Sequence, residues 1–367
     1  MKEIMTVLGP IGPNELGFTS MHEHIIHDVS AARRRYESTL TRDLPVAADD
    51  PVSLENIGLL KRNFTLTFDA LRMDDEELMT AEVADFKDSG GHAMVEMSVP
   101  TARLNLPAIK QVSQKTGVHV IATTGLFGGT RGEEDAWPEQ YRESTVEGYA
   151  GYMLAEIEQG IEDTGIKAGH IKIGIGDLSK QQERLLRAAA RVATETGLSV
   201  TVHPGIFSII GADGRRIIKI LAGEGMNLER LILAHTQQFF IEHDLKTLIR
   251  NPDSWHLRLD YAKELVDRGA NISIDCFGSP DDSESIGWIQ GTDWQRLAGL
   301  IALIEAGYSP QIVLGTDTWI KPGLRRCGGE GYCRLTKFVV PLLRDLGVSD
   351  YDIRQMTVEN PARLLAR

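Results

Sequence analysis

Residues 170–204 read HIKIGIGDLSKQQERLLRAAARVATETGLSVTVHP. Residues 170–175 form an apolar strand. Residues 180–196 form a helix that Gly197 ends, and residues 198–203 form a second apolar strand. A continuous apolar strand is one buried on both faces, and strands of that kind alternating with helices make a parallel sheet covered on both sides.

The same unit recurs outward in both directions. Toward the N-terminus, residues 118–124 are a strand and 144–163 a helix; 92–99 are a strand and 106–116 a helix ended by Gly117. Before these, 74–89 read as a helix ended by Gly90-Gly91, and 19–28 as a short strand. Toward the C-terminus, a helix at 214–225 is followed by a strand at 231–235, helical sequence through 267, and a strand at 271–276. A helix at 293–306, a strand at 311–317 and helices at 334–346 and 350–365 complete the chain. Residues 4–18, broken by Gly9-Pro10 and Gly12-Pro13, read as a small hairpin ahead of the main fold. Residues 29–70 are polar and irregular, and read as a long loop with broken helices. Eight strands, each followed by helical sequence, predict a closed (β/α)8 barrel in a single domain, 1–367. The rival architecture is an open doubly wound sheet.

Composition narrows the function. The chain has 367 residues, 42% hydrophobic and 25% charged, as in an ordinary folded protein. A net charge of -13 argues against nucleic acid or an anionic membrane as partner. No apolar run reaches the ~20 residues of a membrane span, and residues 1–10 lack the pattern of a signal peptide. Three cysteines suggest a reducing compartment without a disulfide framework. A cytoplasmic protein acting on a small molecule is expected, as a homodimer.

In a barrel, chemistry sits at the carboxyl ends of the strands. In the first strand His22 and His24 are two residues apart and project from one face, with Glu23 turned the other way. Two imidazoles on one face suit zinc and its first-row neighbours. The fourth strand carries Lys172 between apolar residues, the fifth ends at His203, the sixth at His235 and the eighth at Asp317. Four of the ten histidines, a lysine and an aspartate therefore gather in one predicted mouth.

These residues resemble the phosphotriesterase family of the amidohydrolase superfamily. The resemblance spans nearly the whole chain, from Thr6-Val7-Leu8-Gly9 to Asn360-Pro361-Ala362-Arg363. It includes Ala122-Thr123-Thr124-Gly125, Gly160-Ile161-Glu162-Asp163-Thr164-Gly165 and Gly328-Gly329-Glu330-Gly331-Tyr332. It implies two divalent metal ions, zinc first, with manganese, cobalt or iron as alternatives. His22, His24 and Asp317 would hold the buried ion, His203 and His235 the outer one, and Lys172 would bridge them. An ammonium cannot ligate a cation, so the resemblance also implies that Lys172 is N6-carboxylated, as a carbamate. The alternative is a buried lysine paired with an acid such as Glu96, which could itself serve as the bridge.

The implied mechanism is hydrolysis by a hydroxide shared between the ions, with Asp317 accepting its proton. The expected substrate is a lactone or carboxylic ester, with promiscuous phosphotriesterase activity. A phosphotriester or an amide is the alternative main substrate, and a non-catalytic binding protein on the same barrel is the remaining reading. Family members carry a histidine or arginine after the aspartate of the seventh strand, where this chain has Asp275-Cys276. Cys276 reads as a small packed residue, or else as part of the pocket. Phe127, Trp288 and Arg325 are the other pocket candidates. Phe127 could wall an apolar leaving-group site, and Trp288 sits in a rim at 278–294 whose charges, Asp281, Asp282 and Glu284, read as solvated. Arg325, in a basic glycine-rich loop, could bind a substrate anion or only balance an acidic surface. Cys327 and Cys333 could clip that loop, although free thiols are expected.

Overall fold

A computed structural model describes every residue except 1, 32, 34–43, 101, 129–136, 138, 143, 205–212, 281 and 285–286. The expected hairpin is present: β1 (Ile4–Thr6) and β2 (Gly9–Ile11) pair antiparallel. The main sheet begins at β3 (Thr19–Glu23). Two further strands, β4 (His27–Asp28) and β5 (Arg72–Met73), form an antiparallel pair of their own. The sheet continues through β6 (Ala93–Glu96), β7 (His119–Thr124), β9 (His170–Ile175), β10 (Val200–Pro204), β11 (Leu231–Leu233), β12 (Asn271–Ile274) and β13 (Ile312–Leu314). These eight strands pair in parallel in chain order, and the short β8 (Phe127–Gly128) adds to β9. The result is a mostly parallel eight-stranded barrel surrounded by helices.

Local chemistry explains the elements. Ser179 caps the helix Lys180–Thr196 by accepting from Gln182 N, and Gly197 ends it in the left-handed conformation at φ 74°. Leu185, Leu186, Ala189 and Val192 of that helix are buried, as are Ile171 and Ile173 of β9 and Val200 and Val202 of β10. The alternate residues of β9 and β10 include His170, Lys172 and Thr201, also buried. His170 contacts Thr201 Oγ1 at 2.7 Å and Ser199 Oγ at 3.0 Å, which plugs the barrel below Lys172. The two chain ends meet, with Glu3 N donating to Arg367 O and Arg367 N to Glu3 O.

The barrel closes without a regular ladder between β3 and β13. Asp317 N donates to His22 O at 2.9 Å. Glu23, buried, turns away from His22 and His24 into the seam and accepts from Thr316 N (2.8 Å), Thr316 Oγ1 (2.6 Å), Thr318 N (3.2 Å) and Ser20 Oγ. Gly315 permits the approach, because a Cβ there would lie 2.8 Å from the His22 Cβ.

Three strands end short of their expected limits. β11, β12 and β13 stop at Leu233, Ile274 and Leu314 rather than at His235, Cys276 and Asp317. Each of those three residues has positive φ (54°, 60° and 46°), a conformation that ordinary side chains rarely adopt. It breaks the extended ladder and redirects the side chain. The first strand is likewise shorter than expected, and 27–28 belong to the separate pair with 72–73. Among the described residues, no helix is long and apolar enough to cross a membrane.

Glu23→Gln puts an amide NH2 against buried backbone N–H groups of the seam. It should cost ~1–3 kcal/mol, the usual penalty for an unsatisfied buried donor, read as a lowered denaturant midpoint against wild type.

Candidate metal centre

The strand ends bring His22, His24, Lys172, His203, His235 and Asp317 together. Asp317 Oδ1 lies 3.4 Å from His24 Nε2 and 3.7 Å from His22 Nε2. Lys172 Nζ lies 3.0 Å from His22 Nε2. On the other side, His235 Nε2 faces His203 Nδ1 at 2.7 Å.

The positions are held by the surrounding chain. His24 Nδ1 contacts Ser98 Oγ at 2.8 Å, and buried Tyr332, in the glycine-rich 328–332 motif, donates to His24 O at 2.6 Å. Arg103 donates to Ser98 O and Thr123 O and pairs with Glu162 of the 160–165 motif at 3.1 Å. Gly125, at φ +123°, passes so close to Lys172 that a Cβ there would lie 1.9 Å from Lys172 O. The quoted motifs therefore frame the site rather than line it.

Burial and charge set the protonation states. Burial, then the Lys172 charge, lowers His22 to about 3. Burial and His235 hold His203 well below the ordinary imidazole value. Burial would also lower His235, but the Asp275 charge outweighs it and raises this histidine. Burial opposes ionisation of Asp317, yet His22, His24 and His235 keep it far below the carboxylate range. Burial lowers Lys172 to about 8, against the charges of Asp317 and Asp275.

This donor set fits divalent ions. His22, His24 and Asp317 present nitrogen and carboxylate atoms within 4.8 Å of one another, and so do His235, Asp275, Cys276 and Asp317. The nitrogens of His203 and His235 also face each other. At 2.7 Å two ring nitrogens need a proton or a cation between them.

The sequence profile of the phosphotriesterase family matches residues 2–365. The chain belongs to the phosphotriesterase family. It is thereby a chain of a hydrolase family. The N-acetyltaurine hydrolase of Salmo salar is 27% identical over 99% of this chain and 97% of that protein. The resiniferatoxin-binding protein from Rhodobacter sphaeroides superposes with a TM-score of 0.82 at 28% identity, covering 99% of this chain and 94% of that one. A lactonase from Listeria monocytogenes shares the fold, with a TM-score of 0.74 at 24% identity over 99% of this chain and 98% of that one.

Several expectations are corrected by the geometry. Glu96 does not pair with Lys172: its two oxygens accept from Ile25 N (2.5 Å) and Ser98 N (2.8 Å), bracing the turns after β3 and after its own strand β6. Arg325 is half-exposed and paired with Asp85 at 2.9 Å, while Arg326 pairs with Asp85 and Glu82, so these cations are already neutralised. Cys276 is neither inert packing nor an open pocket wall. It is buried, with Sγ 3.4 Å from both Asp275 Oδ1 and Asp317 Oδ2. Asp282 is not simply solvated, because it accepts from Gln290 N at 2.7 Å and shapes the rim; Asp281 lies outside the described residues. Cys327 and Cys333 are free thiols.

Phe127 leans edge-on against His203, with ring centroids 4.8 Å apart. Trp288 stacks flat on His243 at 4.2 Å. Its segment joins two mouth loops through bridges Asp244–Trp288 and Asn63–Ser283. Asp275 was missed in the sequence. Its only signal there is a carboxylate at the end of an apolar strand, next to the position where family members differ.

Because Glu96 is spent on backbone N–H groups, Glu96→Gln should lower stability but leave the metal content of the purified protein unchanged. Elemental analysis of variant and wild type side by side checks this.

Proposed function

We propose that the mouth holds two divalent ions, one on His22, His24 and Asp317 and the other on His203 and His235, with Lys172 between them. We propose further that the chain hydrolyses a lactone or carboxylic ester. The observation that carries this reading is the pair of donor sets, His22, His24 and Asp317 with Lys172 Nζ 3.0 Å from His22 Nε2, and His203 facing His235 at 2.7 Å. Such ions, when bound, polarise a substrate oxygen and acidify a coordinated water.

The chain's own residues supply the rest. Lys172, lowered to about 8 by burial, is neutral far more often near pH 7 than an exposed lysine, and the neutral amine is the form that reacts with carbon dioxide to give a carbamate. Asp317 is anionic, with Oδ1 toward His22 and His24 and Oδ2 toward His235 and Cys276. It is the group placed to take the attacking water's proton and to return it to the leaving group. Phe127, beside His203, gives an apolar side to the pocket.

A second reading, amide hydrolysis, is favoured by a relative named N-acetyltaurine hydrolase that matches end to end. An amine leaves only when protonated, so amide cleavage asks more of Asp317 as a proton donor than lactone opening does. A hydrolysis screen over lactones, esters, N-acyl amines and phosphotriesters with the zinc- and manganese-reconstituted protein separates the readings. Lactone or ester turnover well above the rest supports the first, and N-acyl turnover above both replaces it with the second. No turnover in any class would leave a binding protein.

Two variants test the residue roles. Lys172→Ala should lose most of the metal and activity, and short-chain carboxylic acids should restore part of both by standing in for the carbamate. Full metal and full rate in that variant would remove Lys172 from the site. Asp317→Asn keeps one ligating oxygen but no charge. It should retain most metal while kcat falls ~10²-fold or more, the scale of general-base catalysis; near-normal turnover with metal bound would return the proton to solvent.

A further inference from the structure

Asp275 stands behind both donor sets at once. Its Oδ1 lies 2.7 Å from His235 Nδ1 and its Oδ2 lies 3.4 Å from His22 Nδ1. His22 Nδ1 is buried and, among the described residues, makes no hydrogen bond; the Asp275 carboxylate 3.4 Å away is the acid it faces. An ionised carboxylate only accepts. The carboxylate therefore favours an Nδ1–H on both rings, hydrogen-bonded from His235 and facing Oδ2 across 3.4 Å from His22, and both Nε2 lone pairs then point inward. His22 Nε2 faces Lys172 Nζ and Asp317 Oδ1, and His235 Nε2 faces His203 Nδ1. The two rings belong to different halves of the mouth, and their centroids are 4.7 Å apart.

The carboxylate is itself fixed. Asp275 is fully buried. Gln237 Nε2 donates to Oδ1 at 2.9 Å, Gln237 Oε1 accepts from Asp275 N at 3.1 Å, and His235 N donates to Oδ2 at 3.2 Å. The last bond also secures His235 in its left-handed backbone conformation. A fully buried carboxylate with this many donors is a built feature rather than a solvated strand end.

We propose that Asp275 is a positioning residue that sets the tautomers of His22 and His235 together, and so couples the two halves of the metal centre. Outer carboxylates that orient a ligating histidine are a general device. What is particular here is one carboxylate serving a ligand from each half. The consequence is joint behaviour: loosening Asp275 weakens both halves, whereas removing a ligand such as His203 weakens one. The inference rests on the two-ion reading for its metal consequence, but not for the tautomers.

The test uses Asp275→Asn. An asparagine offers one acceptor oxygen and one NH2, so it can receive an Nδ1–H from only one ring, and the other ring must switch to Nε2–H. Imidazole 15N NMR of the purified protein, before and after chelator, reports the tautomers, with signals assigned by their loss in His22→Gln and His235→Gln. Wild type should show Nδ1–H for both rings, and Asp275→Asn should move at least one to Nε2–H. In a chelator titration the variant should release both ions more readily, each by roughly 10–100-fold in affinity, while His203→Asn should release chiefly one. Gln237→Met, which keeps the charge but frees the carboxylate, should show a weaker shift of both ions and serves if Asp275→Asn does not fold. Unmoved tautomer signals in Asp275→Asn, or easier release of a single ion, would overturn the proposal. Wild type that bound no ion but showed both Nδ1–H signals would sink the two-ion reading and leave the hold of Asp275 on both rings standing.

Discussion

The whole arrangement depends on how the first strand meets the eighth. β3 and β13 share no regular ladder, and the seam is made by Glu23 accepting from Thr316 and Thr318. Strand alternation does two things with three consecutive residues. It sends His22 and His24 into the mouth and Glu23 into the seam. The same seam carries Asp317, whose N–H is bonded to His22 O. Closing the barrel and bringing Asp317 to the two histidines are therefore one event, and Gly315 is small because any Cβ would collide with His22.

Inside the mouth the balance is electrostatic. Asp275 and Asp317 are buried carboxylates, and burial alone would neutralise them. The histidines hold both in the ionised state, and in return, on the proposal above, Asp275 sets which ring nitrogen of His22 and His235 carries the proton. Lys172 enters this cluster as the one group whose buried charge is costly and not fully repaid by a close partner, since its nearest polar contact is an imidazole nitrogen rather than a carboxylate. That supports the proposal that it is a modified ligand rather than one half of an ion pair. Glu96, the other candidate for pairing, is fully engaged by backbone N–H groups.

Much of this was legible in the sequence, because the signals were periodic. Eight apolar strands, each followed by helical sequence that in several units ends at a glycine, specify the barrel, and a barrel specifies where to look for chemistry. His22, His24, Lys172, His203, His235 and Asp317 all lie at or near strand ends, and the structure gathers them. What was not legible depends on three-dimensional neighbours. The left-handed turns at His235, Cys276 and Asp317 leave no trace in residue type, so those strands were read too long. Arg325 read equally as an anion site or as a cation balancing an acidic surface, and its loop's partners, Asp85 and Glu82, lie some 240 residues away in the chain. Cys276 looked like packing because nothing in the chain announces that Asp275 and Asp317 flank its thiol. Asp275 gains its significance only from being within reach of two imidazoles on other strands.

The central claim is that the two donor sets act as a two-ion centre bridged through Lys172, and its most direct measurement is the metal content of the wild-type protein. Elemental analysis of protein purified without chelator and then saturated with zinc or manganese should give close to two divalent ions per chain. One ion or fewer at saturation would contradict the account.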